Sequence, residues 1–335
     1  MLRAGVIGFG GLGHVHAAAY AKRTDVQLVA VADIDPERLT GKSIKINLGE
    51  NQAFDMRSVR KYRSANRMLA REPLDLVSIC LPTDLHAKVA VRALQKGVHV
   101  LTEKPMSRTL RQADAAIAAQ EQSGRLLMVA QCLRFWPCYE RLLAAHRSGE
   151  FGRLLMLSMR RISGSPGWGG ARSWFLDGRR SGGCLLDMHI HDTDFVNHLI
   201  GVPEAVVATG TSHVSGAIDN SFTQYVYPDG PVVMAEASWS YGGGFNMAFA
   251  ASFERATLEM GYCDATLRVL RSGQAPETLE LLATSAYDAE IDYFVGCIQC
   301  GKPPERCLPA STRETMRIAL CEERSALAGG KRIKL

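Results

Sequence analysis

An aspartate and a histidine at helical spacing are the first candidates for acid–base chemistry in this chain. They lie in the segment SGGCLLDMHIHD at 181–192. If the segment from about residue 185 is helical, Asp187 and His191 share one face and His189 points elsewhere. A carboxylate beside an imidazole orients the ring and raises its basicity, which suits a general base. The residues alone leave a structural role equally open.

A lysine follows a predicted buried strand, in the sequence TEKP at 102–105. Ligands of open α/β sheets bind beyond the carboxyl ends of the strands, so Lys104 is placed where it can contact one. The alternative is a surface lysine that pairs with Glu103.

A glycine motif, GFGGLG at 8–13, follows the first predicted strand and opens a helix. Its glycines allow a tight turn and close approach to a pyrophosphate, which the helix N-terminus would bind through its N–H groups. Asp33 ends the second predicted strand, where an acid bonds the ribose hydroxyls of the adenosine. A carboxylate there repels a 2′-phosphate and favours NAD, although the nearby Arg38 leaves NADP open.

The elements that position these residues change in character after residue 131. Before it, short apolar runs alternate with helical stretches, which predicts an α/β fold with a doubly wound parallel sheet of the Rossmann type. After it, alternating runs recur between residues 205 and 270, which predicts an α+β domain with a large, mostly antiparallel sheet. We therefore expect a cofactor domain at 1–131 and a substrate-binding and oligomerisation domain at 132–335.

Individual elements follow from the same patterns. Strands are predicted at 3–9, 26–32, 74–81, 98–101, 126–130 and 153–162, and helices at 12–22, from 36 onward, and at 85–96, 110–123, 137–148, 286–300 and 312–328. A proline at the first helical position supports the helices that begin at Pro36 and Pro137.

Composition excludes several classes of protein. The 335 residues carry 39 Lys+Arg and 34 Asp+Glu, and this net charge of +5 is too weak to indicate nucleic-acid binding. No apolar run approaches the roughly 18 residues of a membrane helix. Six basic residues at partly helical spacing predict one solvated helix face, with an anion-binding surface as the alternative; they are Arg57, Arg60, Lys61, Arg63, Arg67 and Arg71.

The nine cysteines are scattered and odd in number, and the N-terminus lacks a signal-peptide pattern, so we expect a reduced, cytoplasmic protein. Cys297 and Cys300, with Cys307 beyond them, have no second C-x-x-C and no nearby histidine. We interpret them as thiols rather than zinc ligands, and expect no metal.

A loop rich in glycine, serine and tryptophan at 163–183 leads to the Asp187 segment. Aromatic rings suit the faces of sugars, and arginine binds carboxylates or phosphates. This predicts a sugar, polyol or sugar derivative as substrate, including anionic ones; the alternative is a solvated loop whose tryptophans pack on the sheet. The residues concerned are Arg160, Arg161, Trp168, Arg172, Trp174, Arg179 and Arg180.

The chain resembles the Gfo/Idh/MocA oxidoreductase family. The residues that carry the resemblance are GFGGLG at 8–13, Asp33, LPTDLHAKVAVRALQKGVHVLTEKP at 81–105, RFWP at 134–137, the turn GEFG at 149–152 and WFLDGRRSGGCLLDMHIHDTDF at 174–195. Three features depart from the family pattern: Cys184 replaces a glycine, Thr83 stands where asparagine is common, and residues 41–71 are longer and more basic.

The resemblance implies roles for particular residues. Lys104, Asp187 and His191 would be catalytic. The cofactor would contact Gly8, Phe9, Gly10, Gly11, Leu12, Gly13, Asp33, Leu81, Pro82, Thr83, His86, Glu103 and Lys104. The substrate would contact Lys104, Arg134, Trp174, Asp187 and His191.

The implied activity is that of an NAD-dependent dehydrogenase acting on CH–OH groups. His191 would remove the hydroxyl proton, and Lys104 would stabilise the developing alkoxide, while the cofactor performs the hydride chemistry. An exposed sheet in the second domain would favour a homodimer or homotetramer.

Three other functions stay open. An NAD-dependent glycosidase would use transient oxidation, and a regulator would bind NAD without turnover. A metal hydrolase would use a ligand-rich set, Asp187, His189, His191, Asp192 and Asp194; it is disfavoured because His189 and His191 cannot face one way on a helix.

Overall fold

A computed structural model of the protein describes residues 1–42, 44–46, 49–51, 55–167, 173–261 and 266–335. Trp168 and Arg172, two of the predicted substrate-loop residues, lie outside these ranges. The chain forms two compact units. The first consists of Met1–Cys132 and Ser285–Arg313, and the second of Leu133–Thr284 and Glu314–Leu335.

The two units correct one part of the predicted division of the chain. The first crossing between units falls within one residue of the predicted boundary, but Ser285–Arg313 returns to the first unit. Ion pairs accompany this return, because Lys22 Nζ lies 2.6 Å from Asp288 Oδ2 and Arg23 also pairs with Asp292. The functional roles assigned to the two domains stay predictions.

The strands of the first unit form a parallel sheet. Those described are β1 (Leu2–Ile7), β2 (Val26–Ala32), β3 (Ile44–Ile46), β4 (Gly49–Asn51), β5 (Arg60–Tyr62), β6 (Leu76–Ile79), β7 (His99–Glu103) and β8 (Leu127–Ala130). The six-stranded order is β5-β2-β1-β6-β7-β8, and β3 pairs separately with β4. All pairs in the larger sheet are parallel. The order reverses between β1 and β6, and ligands of such sheets bind at that point.

The strands of the second unit form a nine-stranded sheet in the described residues. They are β9 (Leu154–Ile162), β10 (Ala205–Thr211), β11 (Asn220–Val226), β12 (Val232–Ser238), β13 (Asn246–Phe253), β14 (Thr257–Met260), β15 (Leu267–Leu270), β16 (Glu277–Leu279) and β17 (Ile333–Lys334). Their order is β16-β15-β14-β13-β9-β12-β11-β10-β17. All neighbours are antiparallel except β12 and β9. The predicted mostly antiparallel sheet is confirmed.

The helices largely match the predicted ranges. They are α1 (Gly11–Ala21), α2 (Ala65–Arg71), α3 (His86–Gln95), α4 (Leu110–Ser123), α5 (Pro137–Ser148), α6 (Gly178–Ser181), α7 (Ile190–Ile200), α8 (Ala286–Cys300) and α9 (Pro309–Leu327). Side chains cap several of them; the Thr109 side chain accepts the Gln112 N–H at the start of α4, for example. On α8, Cys297 is buried and Cys300 exposed.

Two helix predictions in the first unit are wrong. Residues after Pro36 form only a 3₁₀ turn, Arg38–Thr40. The basic segment is not one helix face, because Arg60 lies in β5 and pairs with Ala30 of β2. Arg57 lies in a turn that the Asp55 carboxylate caps by accepting the Arg57 N–H at 3.0 Å. Of the six basic residues only Arg67 and Arg71 lie in a helix, α2, because a strand at the sheet edge and a turn hold the earlier part of the segment.

One face of the second sheet exposes apolar side chains. Met156, Phe222, Val232 and Met234 are between 40% and 55% exposed. They lie on adjacent strands, because Met156 of β9 is opposite Val232 of β12, and Met234 of β12 is opposite Gln224 of β11. Isolated exposed apolar residues are normal, but several on neighbouring strands form a patch.

Among the residues that the structure describes, every helix is too short or too polar to cross a membrane.

Candidate active site

The turn after β1 is built on backbone packing that admits only glycine. Gly8 has φ +90°, and a Cβ there would lie 2.3 Å from the carbonyl oxygen of Cys80. A Cβ on Gly13 would lie 2.1 Å from the carbonyl oxygen of Gly8. The first turn of α1 has neither a side-chain cap nor an acidic residue. The turn therefore fits a dinucleotide, whose pyrophosphate needs close backbone approach at a helix N-terminus.

Asp33 joins the end of β2 to this turn. Its carboxylate is buried and accepts the Phe9 N–H at 2.8 Å and the Asp35 N–H at 2.9 Å. The guanidinium of Arg38 lies 3.6 Å from it, and would also lie 3.3 Å from a Cβ on Gly10. Asp33, the acid predicted to bond the ribose, therefore also holds the turn after β1 through the Phe9 N–H. Arg38 lies beside both Asp33 and this turn.

Lys104 follows β7 at the same edge of the sheet. It is half-buried, whereas the flanking Glu103 and Pro105 are buried. Glu103 faces inward, and its Oε2 accepts the Lys104 N–H at 3.2 Å. Lys104 is therefore more exposed than its two neighbours in this short segment, and Glu103 supports its backbone.

His86 supports the same edge from within. Its ring is 1% exposed, and its nitrogens lie 2.7 Å from the carbonyl oxygen of Pro105 and 2.6 Å from that of Leu81. Burial lowers the pKa of His86, and the hydrogen bonds to the two carbonyl oxygens oppose this shift only in part. His86 holds the segments that follow β6 and β7, rather than lining a surface as predicted. Pro82 beside it is half-buried.

The buried side-chain atoms without a hydrogen-bond partner within the described part of the chain include two uncharged oxygens at this edge. They are Thr83 Oγ1, after β6, and Gln131 Oε1, directly after β8. Buried polar groups are normally bonded, so orphaned oxygens beside Lys104's strand fit a polar ligand that completes them. Gln131 was missed by sequence reasoning; its place directly after an apolar strand was the available signal.

Asp187 and His191 stand out in the second unit by their exposure. A π-helical turn, Leu185–His189, precedes α7. Between residues 181 and 192 these two side chains are half-buried and all the others are buried. The exposure pattern agrees with the prediction that both share one face, and it separates them from His189.

A glycine and a carbonyl hold this turn. Gly183 has φ +68°, and a Cβ there would lie 2.6 Å from the Ile218 carbonyl oxygen. That oxygen also accepts the Leu185 N–H at 3.1 Å. The predicted double-glycine turn is therefore a close approach between backbones, and Cys184, which replaces a third glycine, is simply buried.

Asp219 organises the loop that supplies this carbonyl. Its buried carboxylate accepts backbone N–H groups of His213, Val214 and Ser215 at 2.7 to 2.9 Å, and the Ser215 hydroxyl. Burial raises the pKa of Asp219, but the bonds from Ser215 and the other donors outweigh it and hold this pKa below its usual value. Sequence reasoning missed Asp219, because no local spacing marks it.

The other acidic and basic groups around α7 are paired inside the unit. Asp192 binds Arg161 through two contacts of 3.0 Å, and Asp194 binds Arg134 at 2.6 and 2.8 Å. His189 Nε2 lies 3.0 Å from Glu322 Oε2. The ligand set imagined for a metal hydrolase is therefore divided among separate partners.

Several predicted substrate residues have other roles. Arg134 is 1% exposed and engaged by Asp194, so it supports α7 rather than facing a substrate. Arg161 is buried, and Arg160 Nε lies 3.2 Å from Glu236 on the sheet face. Trp174 remains half-buried and stacks on Phe175, with ring centroids 3.9 Å apart. In the same loop, Arg179 is exposed and Arg180 half-buried.

Two family models match the chain. One, described as the oxidoreductase family with an NAD-binding Rossmann fold, matches residues 2–131. The other, described as the GFO/IDH/MocA C-terminal domain, matches residues 139–259.

Similar proteins include two curated dehydrogenases. The chain is 25% identical to myo-inositol 2-dehydrogenase of Thermotoga maritima over 319 residues, and 28% identical to UDP-N-acetylglucosamine 3-dehydrogenase of Acidithiobacillus ferrooxidans over 316 residues. Each alignment covers 90% of both proteins. The WlbA dehydrogenase of Bordetella pertussis, crystallised with NADH and UDP-GlcNAcA, has a similar fold: the TM-score is 0.84 at 21% identity, over 100% of this chain and 98% of that one.

Proposed function

The chain belongs to the Gfo/Idh/MocA family and is an NAD(P)-dependent oxidoreductase acting on a sugar, polyol or sugar derivative, and we propose that Lys104, Asp187 and His191 carry its reaction. The observation that carries this proposal is exposure: each of the three is half-buried within a segment whose neighbours are buried. Functional groups that must meet a substrate need this access, and the paired side chains around them do not have it.

The first unit binds the cofactor through the turn after β1. Gly8 and Gly13 admit the pyrophosphate, and the first turn of α1 supplies N–H groups and the positive end of its dipole. When bound, the nicotinamide accepts or returns a hydride at the carbon that bears the substrate hydroxyl. We propose that Asp33 bonds the adenosine ribose, which favours NAD.

The protein's own groups handle the proton and the charge on oxygen. His191 removes the hydroxyl proton, and Asp187, one turn away, orients the ring and favours its protonated form. The Lys104 ammonium stabilises the negative charge that develops on the same oxygen. In the reverse direction, His191 returns the proton and Lys104 polarises the carbonyl group.

The substrate class is narrowed by the relatives and by one aromatic side chain. The relatives named above act on an inositol and on a UDP-linked amino sugar. Trp174 offers a ring of the kind that packs on sugar faces. We propose a cyclic polyol or a sugar, free or nucleotide-linked, as the substrate.

A fluorescence screen for NADH formation tests this class. The panel contains myo-inositol, scyllo-inositol, UDP-N-acetylglucosamine, aldoses, sugar acids and an aryl glycoside. We expect NADH to accumulate with at least one polyol or sugar. Release of the aglycone without net NADH would instead indicate a glycosidase, and NAD binding with no turnover of any compound would contradict the proposal.

Lys104→Met tests the assignment of the lysine. Loss of the cation removes stabilisation of the alkoxide, so kcat should fall by roughly 10²–10³-fold, the range typical for one such donor, while the NADH Kd changes little. Lys88→Met, which removes an exposed lysine from α3, is the matched control. Near-normal turnover of Lys104→Met would exclude the role.

Assembly and location are further proposals. The apolar patch of Met156, Phe222, Val232 and Met234 supports a homodimer or homotetramer formed through this sheet face, and a monomeric mass in light scattering would contradict it. The described cysteines are free thiols, which suits a cytoplasmic location; cell fractionation tests it.

A further inference from the structure

Helix α8 brings a buried glutamate into the first unit. Its half-buried Asp288 and its exposed Asp292 pair with the C-terminal end of α1, through Lys22 and Arg23. Glu290, between them, points inward and is 0% exposed. Neither of its carboxylate oxygens has a hydrogen-bond partner among the described residues.

Glu290 lies beside a chain of hydrogen-bonded groups that reaches Lys104. Oxygen or nitrogen atoms of Glu290, His16 and Glu103 lie within 4.8 Å of one another. His16 Nε2 is 3.1 Å from Glu103 Oε1, and Glu103 Oε2 accepts the Lys104 N–H at 3.2 Å. Glu103 thus uses one oxygen for His16 and the other for the backbone of the predicted catalytic lysine.

The opposite end of this chain is also closed. His16 Nδ1 lies 2.8 Å from Ser78 Oγ, which is 2.7 Å from the Tyr20 hydroxyl. His16 therefore has a partner on each nitrogen, and neither nitrogen is left to bind Glu290.

An ionised Glu290 would be costly at this place. A buried carboxylate without hydrogen bonds loses its hydration and gains nothing in return, and a second carboxylate nearby adds repulsion. The titratable groups around it are His16 and Tyr20 of α1, Cys80 after β6, and Glu103 of β7. Burial, followed by the charge of Glu103, raises the pKa of Glu290 well above its usual value. The same causes raise the pKa of the Cys80 thiol, so the thiol stays neutral and supplies no positive charge to balance an ionised Glu290.

We propose that Glu290 is held as the neutral acid beside Glu103, so that the two carboxyl groups together carry one negative charge. Glu103 then keeps its position between His16 and the Lys104 N–H. Glu290 is thereby a positioning residue for Lys104, a last step that rests on the proposed function. Without the proton, repulsion would move Glu103 away from Glu290 and disturb both of its contacts.

The substitution Glu290→Gln tests the protonation state in the full-length protein. Glutamine has the shape of the neutral acid and cannot ionise. Because the folded pKa of Glu290 lies above the ordinary value of 4.5, the stability that its proton provides is complete below about pH 4.5 and is lost as pH rises through the folded pKa. Relative to Glu290→Gln, the wild-type folding constant should therefore fall by up to tenfold for each pH unit between about pH 5 and that pKa.

The measurement is urea unfolding of both proteins at several pH values between about 5 and 8. Glu121→Gln, an exposed glutamate of α4, is the matched control and should show no such divergence. A Glu290→Gln protein that is less stable than the wild type, by a margin that does not shrink as pH rises, would mean that Glu290 is ionised and paired. That result would overturn the proposal.

Two further measurements cover other outcomes. Infrared spectra of the wild type should contain the C=O stretch of a protonated buried carboxyl at neutral pH, which needs no stable variant; its absence overturns the proposal. Elemental analysis addresses the one alternative for this trio of ligands, a divalent metal. If the wild type contains a stoichiometric metal that Glu290→Gln lacks, Glu290 is a metal ligand and not a neutral acid, and the proposal is overturned.

The positioning role has its own readout. With a substrate from the panel, the alkaline limb of kcat/KM should move to higher pH in Glu290→Gln, because only the wild type can lose this proton. An unchanged limb overturns the positioning role. The unfolding and infrared results do not depend on the function of Lys104. They therefore test the protonation of Glu290 even if the proposed function is wrong.

Discussion

The two units place their functional groups by different physical means. In the first unit, the turn after β1 is shaped by backbone packing, where Gly8 and Gly13 leave no room for a side chain. In the second unit, the helix that carries His191 is held by buried side-chain charges, Arg134 with Asp194 and Arg161 with Asp192.

This difference predicts which substitutions each unit tolerates. A glycine turn depends on atoms of the main chain, so one added methyl group disturbs it. A buried ion pair tolerates neighbouring changes in shape, but removal of one partner leaves an uncompensated charge. The pair Glu103 and Glu290 of the first unit is a third case, in which we propose that a proton on Glu290 takes the place of a cationic partner.

The largest effect is expected where the second unit would lose one member of a buried pair. Arg134→Met leaves the Asp194 carboxylate without its partner, and chemical unfolding should show a loss of about 3–5 kcal/mol. Arg141→Met, which breaks a partly exposed pair with Glu150, should cost at most about 1 kcal/mol. Adding Asp194→Leu to Arg134→Met should recover much of the loss. If Arg134→Met has normal stability and a raised KM for the substrate, Arg134 contacts the substrate, as the family resemblance implies.

A methyl group in the glycine turn should act on the cofactor. Gly13→Ala places a Cβ 2.1 Å from the Gly8 carbonyl oxygen, so α1 must shift away from the turn. A displacement of about 1 Å at a binding site can cost roughly 100-fold, and we expect an increase of that size in the NADH Kd by fluorescence titration. Gly296→Ala in α8, where a Cβ meets nothing within 4 Å, is the control and should leave the Kd unchanged. An unaltered Kd for Gly13→Ala would show that the turn does not hold the cofactor.

A smaller, pH-dependent change in stability is expected for the buried pair of His189 and Glu322, which we compare with the neutral acid proposed for Glu290. Burial alone would lower the pKa of His189, but the Glu322 carboxylate outweighs it and raises this pKa. The stability that the pair provides is therefore complete below about pH 6.5 and lost as pH rises through the folded pKa.

Glu322→Gln should accordingly lose about 1–2 kcal/mol at pH 5.5, and less at pH 8. Both Glu322→Gln and Glu290→Gln therefore become more stable relative to the wild type as pH rises, but Glu322→Gln starts from a loss at low pH because it removes the partner of His189, whereas Glu290→Gln keeps the shape of the neutral acid. Thermal unfolding at both pH values measures it, with Glu314→Gln, a partly exposed glutamate of α9, as control. A loss that is equal at both pH values would mean that His189 is neutral.

Much of the fold was predictable because it depends on local patterns. The glycine motif, the apolar parallel strands and the alternating strands of the second sheet each reflect sterics or periodicity within a few residues. The helices at 137–148 and 286–300 have the predicted bounds. The half-buried positions of Asp187 and His191 also agree with a spacing read from sequence.

The errors occurred where a distant partner decides the outcome. The basic segment has helical spacing, yet Arg60 joins β2 as an edge strand. Arg134 looked like a substrate residue because nothing nearby in sequence marks Asp194 as its partner, sixty positions away. Asp219 and the return of α8 to the first unit had no local signal either, whereas Gln131 was missed although it directly follows an apolar strand.

The sequence by itself determined the fold class, the cofactor turn and the candidate groups Lys104, Asp187 and His191, since backbone sterics and hydrophobic periodicity act over short stretches of chain. Only the tertiary structure decided which charged groups are buried and with what partner. Desolvation makes that decision, because a charge removed from water must find an opposite charge or a proton wherever the fold supplies one. Glu290 shows this most clearly: in sequence it is an ordinary helix glutamate, and burial beside Glu103 gives it its proposed role.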